Sequence, residues 1–284
     1  MEINNQTQWF GVIGNPVEHS LSPAIHNAAF QKTGVNGVYL ALRVESIGDA
    51  IKGLRTLGNA RGFSVTIPHK VAAIPFLDEV EPTAKSIGAI NTIVVEQGKL
   101  KGYNTDASGA LRALREGGAL LDGQRVLILG SGGAARAIAF ALATGSNIPG
   151  LTILGIEEAE RQKLVKDLRA KCSIPVEDGP LSLDMLRYWI PHVRTLVHCT
   201  PVGMSPKVDD SCVPTNLLRP ELTVMDIVYN PRETKLLQDA KAAGCRTISG
   251  LEMFLNQAVM QFELWTGSQA PVDVMRQVLE SRFQ

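Results

Sequence analysis

The sequence lacks an excess of either charge, has few cysteines, and holds no unbroken apolar run of the length a membrane requires. Each shortage excludes something. With 28 Lys+Arg against 28 Asp+Glu, the net charge is zero. The balance persists by segment: residues 1–104 carry 9 basic and 8 acidic side chains, 105–249 carry 17 and 16, and 250–284 carry 2 and 4. No segment has the basic surplus that nucleic acid or an anionic membrane demands, so neither is expected as a partner. Four cysteines, Cys172, Cys199, Cys212 and Cys245, stand far apart with no C-x-x-C pair and no histidine at ligand spacing. They read as reduced thiols, and neither a disulfide framework nor a metal site is expected. Ala137 to Ile156 is uncharged for twenty residues, but its centre, GSNIPG, breaks it into a helix end and a strand start. The N-terminus, MEINNQTQWF, has neither a basic nor an apolar targeting region, so the expected location is the cytoplasm.

What is present is an ordinary globular composition, 45% hydrophobic and 20% charged with 26 glycines, which excludes a disordered tail and a collagen-like chain. A length of 284 residues exceeds the roughly 250 at which one core stops growing, so two domains are expected. FGVIG, GVYLALRV and GFSVTIP read as strands, alternating with helices over SPAIHNAAF, ESIGDAIKGLRTLG and HKVAAIPFLD. GAINTIVVEQGKLKGYNTD holds two short strands around a Gly-Lys turn, and a helix follows from Ala107 to Gly117. The grammar restarts at Gln124. RVLILG, LTILG, TLVHCTP, LTVMDIVY and CRTIS read as strands, with helices over SGGAARAIAFALATG and EEAERQKLVKDLRAK. Strand–helix alternation implies an α/β protein with parallel pairing, and the second half reads as a doubly wound sheet. Two helices, MFLNQAVMQFELWTG and VDVMRQVLESRF, end the chain.

Gly130, Gly132 and Ala135 form G-x-G-x-x-A directly after a strand and at the head of a helix. The glycines permit a tight turn and close backbone approach, and the helix N-terminus offers unpaired N–H groups to a pyrophosphate. That context makes the motif a strong signal for a dinucleotide site. The next strand ends Leu154-Gly155-Ile156-Glu157-Glu158, where Glu157 fits either a ribose contact or a favourable charge at the following helix start.

In the first half, Ser20 and Ser22 stand two residues apart before a helix, a donor pair suited to a carboxylate, although Ser22 fits a helix cap equally well. Thr66 and Lys70, in FSVTIPHK, follow a strand's carboxyl end, where ligands bind in open α/β sheets. Asn91 and Asn104-Thr105-Asp106 add amides and a carboxylate, residue types that turns also use.

Taken in order, GNPxxHSLSPxxHN, FxVTIPHK, GAINT, NTDASG, GSGGAAR, CTPVGM, DxVYNP and GLEMFLNQA resemble the shikimate dehydrogenases and their quinate-using relatives, from about residue 10 to about 267. The resemblance implies two α/β domains. A substrate-binding domain with a mostly parallel sheet would comprise 1–104, completed by 250–284. A Rossmann-like nucleotide domain would span 105–249, with the active site in the cleft between the two. It implies reversible reduction of 3-dehydroshikimate to shikimate by NAD(P)H. Ser20 and Ser22 would hold the substrate carboxylate, and Thr66, Asn91, Asp106 and Gln257 the ring hydroxyls. Lys70 and Asp106 would form the acid–base pair, and Tyr229 would close over the substrate. Gly130, Gly132, Gly133, Ala134, Ala135 and Glu157 would hold the dinucleotide, while Thr200, Gly250 and Met253 border the nicotinamide.

One departure bears on the cofactor. NADP-using members carry Asn-Arg-Thr after the second strand of the nucleotide domain, where this chain reads Gly155-Ile156-Glu157. NADP(H) is implied by resemblance, NAD(H) or dual use by the missing arginine, unless Arg136 or Arg161 reaches the phosphate. Quinate is the rival substrate. A non-catalytic ligand sensor is the rival of another class, though it would be expected to lack Lys70 or Asp106. A monomer or a homodimer fits equally.

Overall fold

The computed structural model describes residues 2–283. The chain divides into two compact units: residues up to Thr105 together with the segment from Gln257 onward, and Asp106–Asn256. The division at 256/257 falls inside a helix that starts at Gly250.

The first unit begins β1 (Gln8–Gly14), α1 (Ser22–Thr33), β2 (Gly37–Arg43), α2 (Ile47–Leu54), β3 (Ala60–Val65), α3 (His69–Ala72), β4 (Glu79–Val80) and α4 (Pro82–Ile87). The hairpin β5 (Thr92–Glu96) and β6 (Lys99–Tyr103) follows. Six strands form one sheet in the order β2-β1-β3-β5-β6-β4. β1 runs parallel to β2 and β3 and β4 parallel to β6, whereas β5 is antiparallel to both its neighbours. Phe63, Ile90, Ile93 and Leu100 lie at the centre of one core cluster.

Three local expectations shift. The helix expected to reach Gly58 ends at Leu54, and the Thr56 hydroxyl donates to the Gly53 carbonyl at 2.8 Å. HKVAAIPFLD makes one α turn and then a 3-10 turn at Ile74–Phe76, because Pro75 cannot donate to a continuing helix. The hairpin turn sits at Gln97-Gly98 and not at Gly98-Lys99. Glu96 pairs with Lys99, and both loop residues take positive φ, 51° and 76°, as a two-residue hairpin of this twist requires.

The second unit opens with α5 (Thr105–Glu116), whose first residue belongs to the first unit. It continues β7 (Val126–Leu129), α6 (Gly133–Gly145), β8 (Leu151–Gly155), α7 (Glu158–Lys171), β9 (Val176–Pro180) and α8 (Leu183–Trp189). β10 (Thr195–His198), β11 (Thr223–Asp226), α9 (Lys235–Ala242) and β12 (Arg246–Ser249) complete it. All its pairings are parallel, in the order β12-β11-β10-β7-β8-β9. The order reverses between β7 and β10, which is the doubly wound arrangement. β9, VEDGP, has no apolar alternation to announce it. As an edge strand it tolerates a terminal proline that a central strand would not.

Two helices close the chain, α10 (Gly250–Thr266) and α11 (Val272–Glu280), with α11 packed on α1. Trp265 of α10 donates its indole N–H to the Ile93 carbonyl at 3.0 Å. A Cβ at Gly62 would stand 2.1 Å from the Trp265 ring, so only glycine lets the helix meet the sheet there. Among the described residues, no helix is long and apolar enough to cross a membrane.

Candidate active site

In the first unit, Ser20 and Ser22 sit where β1 gives way to α1. The Ser22 N–H donates to Ser20 Oγ at 3.3 Å, and the helix begins at Ser22 itself with Leu21 in the cap position. Ser22 is therefore not the cap residue of α1. It faces the buried Tyr39 phenol instead.

Thr66 and Lys70 are held by backbone contacts on both sides. The Thr66 N–H donates to the Ile13 carbonyl at 2.9 Å, and the His69 N–H donates to the Thr66 carbonyl at 2.9 Å. A Cβ at Gly14 would stand 2.3 Å from Thr66 Cγ2, so glycine there is what admits the threonine. Buried His69 anchors the short α3 through a 2.7 Å bond between its Nε2 and the Val44 carbonyl. The Lys70 carbonyl accepts from the Ile90 N–H at 2.9 Å, leaving the side chain half-buried.

Asn91 lies at the end of a directed chain of buried hydrogen bonds. Tyr39 Oη donates to Ser64 Oγ (2.6 Å), Ser64 Oγ to Gln261 Oε1 (2.8 Å), Gln261 Nε2 to Thr92 Oγ1 (2.9 Å), and Thr92 Oγ1 to Asn91 Oδ1 (2.8 Å). The Thr105 N–H also donates to Asn91 Oδ1 at 2.7 Å, and Asn91 Nδ2 donates to Thr105 Oγ1 at 3.0 Å. A backbone N–H fixes which end of the amide is oxygen, so the Asn91 NH2 keeps a second hydrogen for a ligand. Tyr39, Ser64, Thr92 and Gln261 were not signalled as site-supporting residues. The period of α10 could have shown one of them, since Gln261 stands one turn beyond Gln257 on the same face.

In the second unit, Asp106 occupies the first turn of α5. Tyr229 is half-buried against Phe254, with ring centroids 5.3 Å apart. Burial, with the Asp106 carboxylate adding to it, raises the Tyr229 phenol above its usual range, so it remains a hydrogen-bond donor.

The dinucleotide motif lies at the reversal of strand order. Gly130 follows β7 with φ of 112°, and a Cβ there would stand 2.9 Å from the Cys199 carbonyl just after β10. A Cβ at Gly132 or Gly133 would meet nothing within 4 Å, so open space lies over the N-terminus of the thirteen-residue α6. Ala135, one turn in, is fully buried. Such a cradle suits a pyrophosphate.

Just beyond β8, Glu157 stands at the N-cap position of α7, exposed and without a side-chain cap bond, so a favourable charge at the helix start and a ribose contact are both open to it. Ile156 is 77% exposed. Arg161 turns inward: Nε bonds Asp178 Oδ2 at 3.0 Å and Nη1 donates to the Gly155 carbonyl at 2.9 Å. Arg136 pairs with Asp167 at 2.8 Å and lies 5.2 Å from the Phe140 ring. Both arginines that could have served a 2′-phosphate are thus already matched to carboxylates.

Thr200 follows β10, and Gly250 and Met253 start α10, both buried. A Cβ at Gly250 would stand 2.4 Å from the Ile227 carbonyl, so glycine is required there. An open groove on the first unit, lined by Arg55, Arg61, Asp78 and Lys99, includes none of the site residues. Among the described residues, no cluster of His, Cys, Asp and Glu has metal-binding geometry.

The family profile for the shikimate dehydrogenase substrate binding domain matches residues 12–93, and that for the shikimate 5′-dehydrogenase C-terminal domain matches 250–280. A shikimate dehydrogenase (NADP(+)) from Desulforamulus reducens is 44% identical over 99% of this chain and 97% of its own. Among solved structures, shikimate 5-dehydrogenase from Listeria monocytogenes in complex with shikimate and NAD matches with a TM-score of 0.93, 36% identity and 98% coverage of both chains. Quinate dehydrogenase from Corynebacterium glutamicum in complex with NAD matches with a TM-score of 0.90 and 30% identity, over 97% of this chain and 99% of its own. With likeness in sequence and fold running over essentially the whole length, the chain belongs to the shikimate dehydrogenase family.

Proposed function

We propose that the protein is a shikimate dehydrogenase, an oxidoreductase that interconverts 3-dehydroshikimate and shikimate with a nicotinamide dinucleotide. The observation that carries this reading is the full-length identity of 44% to a shikimate dehydrogenase, together with Lys70 and Asp106 standing in the motifs where the family's acid–base residues are expected. In this reading the first unit and the C-terminal helices bind substrate, and residues 105–249 bind the dinucleotide. Quinate remains the alternative substrate.

When bound, the nicotinamide supplies or accepts the hydride. The protein must hold the ring, stabilise charge on the reacting oxygen and move one proton. Ser20 and Ser22 grip the carboxylate with hydroxyl donors. Thr66, Asn91, Asp106 and Gln257 orient the ring hydroxyls, with Asn91 fixed by the Tyr39-to-Thr92 chain behind it. Lys70 presents an ammonium to the reacting oxygen and transfers the proton, Asp106 completes the acid–base set, and Tyr229 donates its phenol hydrogen. Gly130, Gly132, Gly133, Ala134 and Ala135 cradle the pyrophosphate; Thr200, Gly250 and Met253 border the nicotinamide.

The cofactor is NAD(H) in preference to NADP(H). A 2′-phosphate at the end of β8 would meet exposed Ile156 and the carboxylates of Glu157, Glu158 and Glu160, while Arg136 and Arg161 are committed to Asp167 and Asp178. An adenosine ribose with both hydroxyls free would instead find an acceptor in Glu157. The ratio of kcat/KM for NADH and NADPH tests this, and a preference for NADPH refutes it.

The test of the reaction is Lys70→Ala, which is expected to lower kcat by at least ~100-fold with little change in substrate affinity. A variant that keeps about a tenth of the turnover removes Lys70 from proton transfer.

A further inference from the structure

His198 and Asp226 are the last residues of β10 and β11 and are register partners across the parallel pair. Both are buried, at 1% and 0% exposure. His198 Nδ1 lies 2.9 Å from Asp226 Oδ1. The same oxygen accepts from the Val228 N–H at 3.0 Å, and Oδ2 accepts from Thr234 Oγ1 at 2.6 Å. Thr234 is also the cap of α9, so this carboxylate is held by β10, by the turn leading to Tyr229 and by a helix start. A carboxylate that already accepts from two donors offers Nδ1 only an acceptor oxygen, so Nδ1 carries the hydrogen of that contact.

On the other side of the ring, Nε2 makes a close contact with Thr200 Oγ1. That oxygen also accepts from the Val202 N–H at 3.3 Å. A hydroxyl has one hydrogen to give. Were Nε2 bare, Thr200 would spend its hydrogen on the ring; with Nε2 protonated, the hydroxyl oxygen is satisfied from inside and its hydrogen points elsewhere.

We propose that His198 is a positioning residue: clamped by Asp226 as a double donor, it donates Nε2–H to Thr200 Oγ1 and turns the Thr200 hydroxyl hydrogen outward to an acceptor on the bound nicotinamide cofactor. The inference rests on the proposed place of Thr200 beside that cofactor. Burial by itself disfavours a charged ring, but the hydrogen bond and charge of the Asp226 carboxylate, with the Cys212 side chain adding to them, outweigh burial and lift the His198 pKa to about 10. The neighbouring Cys199 thiol, pushed up by burial and by Asp226, stays neutral. Thr200 itself is half-buried.

The protonation state is read on the cofactor-free protein by 15N NMR of the histidine side chains, with His198→Gln assigning the resonances. Both His198 nitrogens are expected in the protonated range near neutral pH, titrating only above about pH 9. An unprotonated Nε2 near neutral pH, or titration near the ordinary value of 6.5, overturns the proposal.

The consequence is read as the Kd for NAD+. His198→Asn keeps a donor to Asp226 but is too short to reach Thr200, and is expected to weaken binding about tenfold. His198→Gln extends as far as Nε2 and is expected to recover most of the loss. In a Thr200→Val background, His198→Asn is expected to change Kd by less than about twofold. Equal losses in the Asn and Gln variants, or an undiminished loss in the Thr200→Val background, overturn the proposal by showing that His198 acts through the fold at large. Failure to bind any nicotinamide dinucleotide contradicts the proposed activity, and the NMR result then still decides whether the ring is a double donor.

Discussion

Each unit buries one histidine completely, and the two are opposites. In the first unit His26 lies in an aromatic layer, stacked on Tyr39 at 4.6 Å and 16° and near Trp265 at 5.1 Å. Neither ring nitrogen has a hydrogen-bond partner among the described residues. Burial dominates there, the nearby Gln261 side chain opposes it, and the pKa falls to about 3. In the second unit His198 is as deeply buried, yet the Asp226 carboxylate, with the Cys212 side chain adding to it, outweighs burial and lifts it to about 10. Desolvation acts on both rings. What differs is a well-held counter-charge, and it moves the same side chain from one that burial keeps neutral to one that favours the charged form.

The largest way to break this contrast is to remove the counter-charge. Asp226→Ala would leave His198 buried without its partner and strip Thr234 and Val228 of their acceptor. A loss of about 3–5 kcal/mol is expected, read as a fall of roughly 10 °C in melting temperature. A fall of only a degree or two would show that the pair contributes little and that the two histidines differ less than their surroundings imply.

The pH dependence sharpens the contrast with opposite signs. For His198, raised in the folded state, the stabilisation is full below 6.5 and is lost as pH rises from there toward 10. For His26, depressed in the folded state, the unfolded chain takes up the proton first. Its contribution is therefore intact above 6.5 and lost as pH falls toward 3. Each slope is at most about 1.4 kcal/mol per pH unit. Denaturant titrations across pH should show the acid limb flatten in His26→Phe and the alkaline limb flatten in His198→Gln; unchanged limbs would contradict the assignment.

The smallest effect is expected at neutral pH from His26→Phe. A ring of similar shape replaces a neutral one that bonds nothing, so stability should change by less than about 1.5 kcal/mol. A large loss would mean that His26 makes a polar contact after all.

The same contrast shows how much was legible in the sequence. The alternation of strands and helices gave both sheets, because buried parallel strands such as Val126–Leu129 are continuous apolar runs between clear breakers. The edge strand β9 was not legible, since an edge asks little of its residues and VEDGP carries no apolar pattern. Likewise the residues expected to touch ligands fell inside motifs, where glycine, proline and hydroxyl residues cluster. Those that hold them in place, Ser64, Gln261, His198 and Asp226, come from strand ends and helix faces far apart in sequence. A polar residue ending an apolar strand, as in TLVH and TVMD, was the available signal. Reading it needed the register that sets His198 opposite Asp226.

The central claim is the reaction itself, and initial rates with shikimate and quinate, each against NAD+ and NADP+, test it most directly. The account predicts the highest kcat/KM for shikimate with NAD+. Absence of turnover in all four mixtures, or a clear preference for quinate, would contradict it.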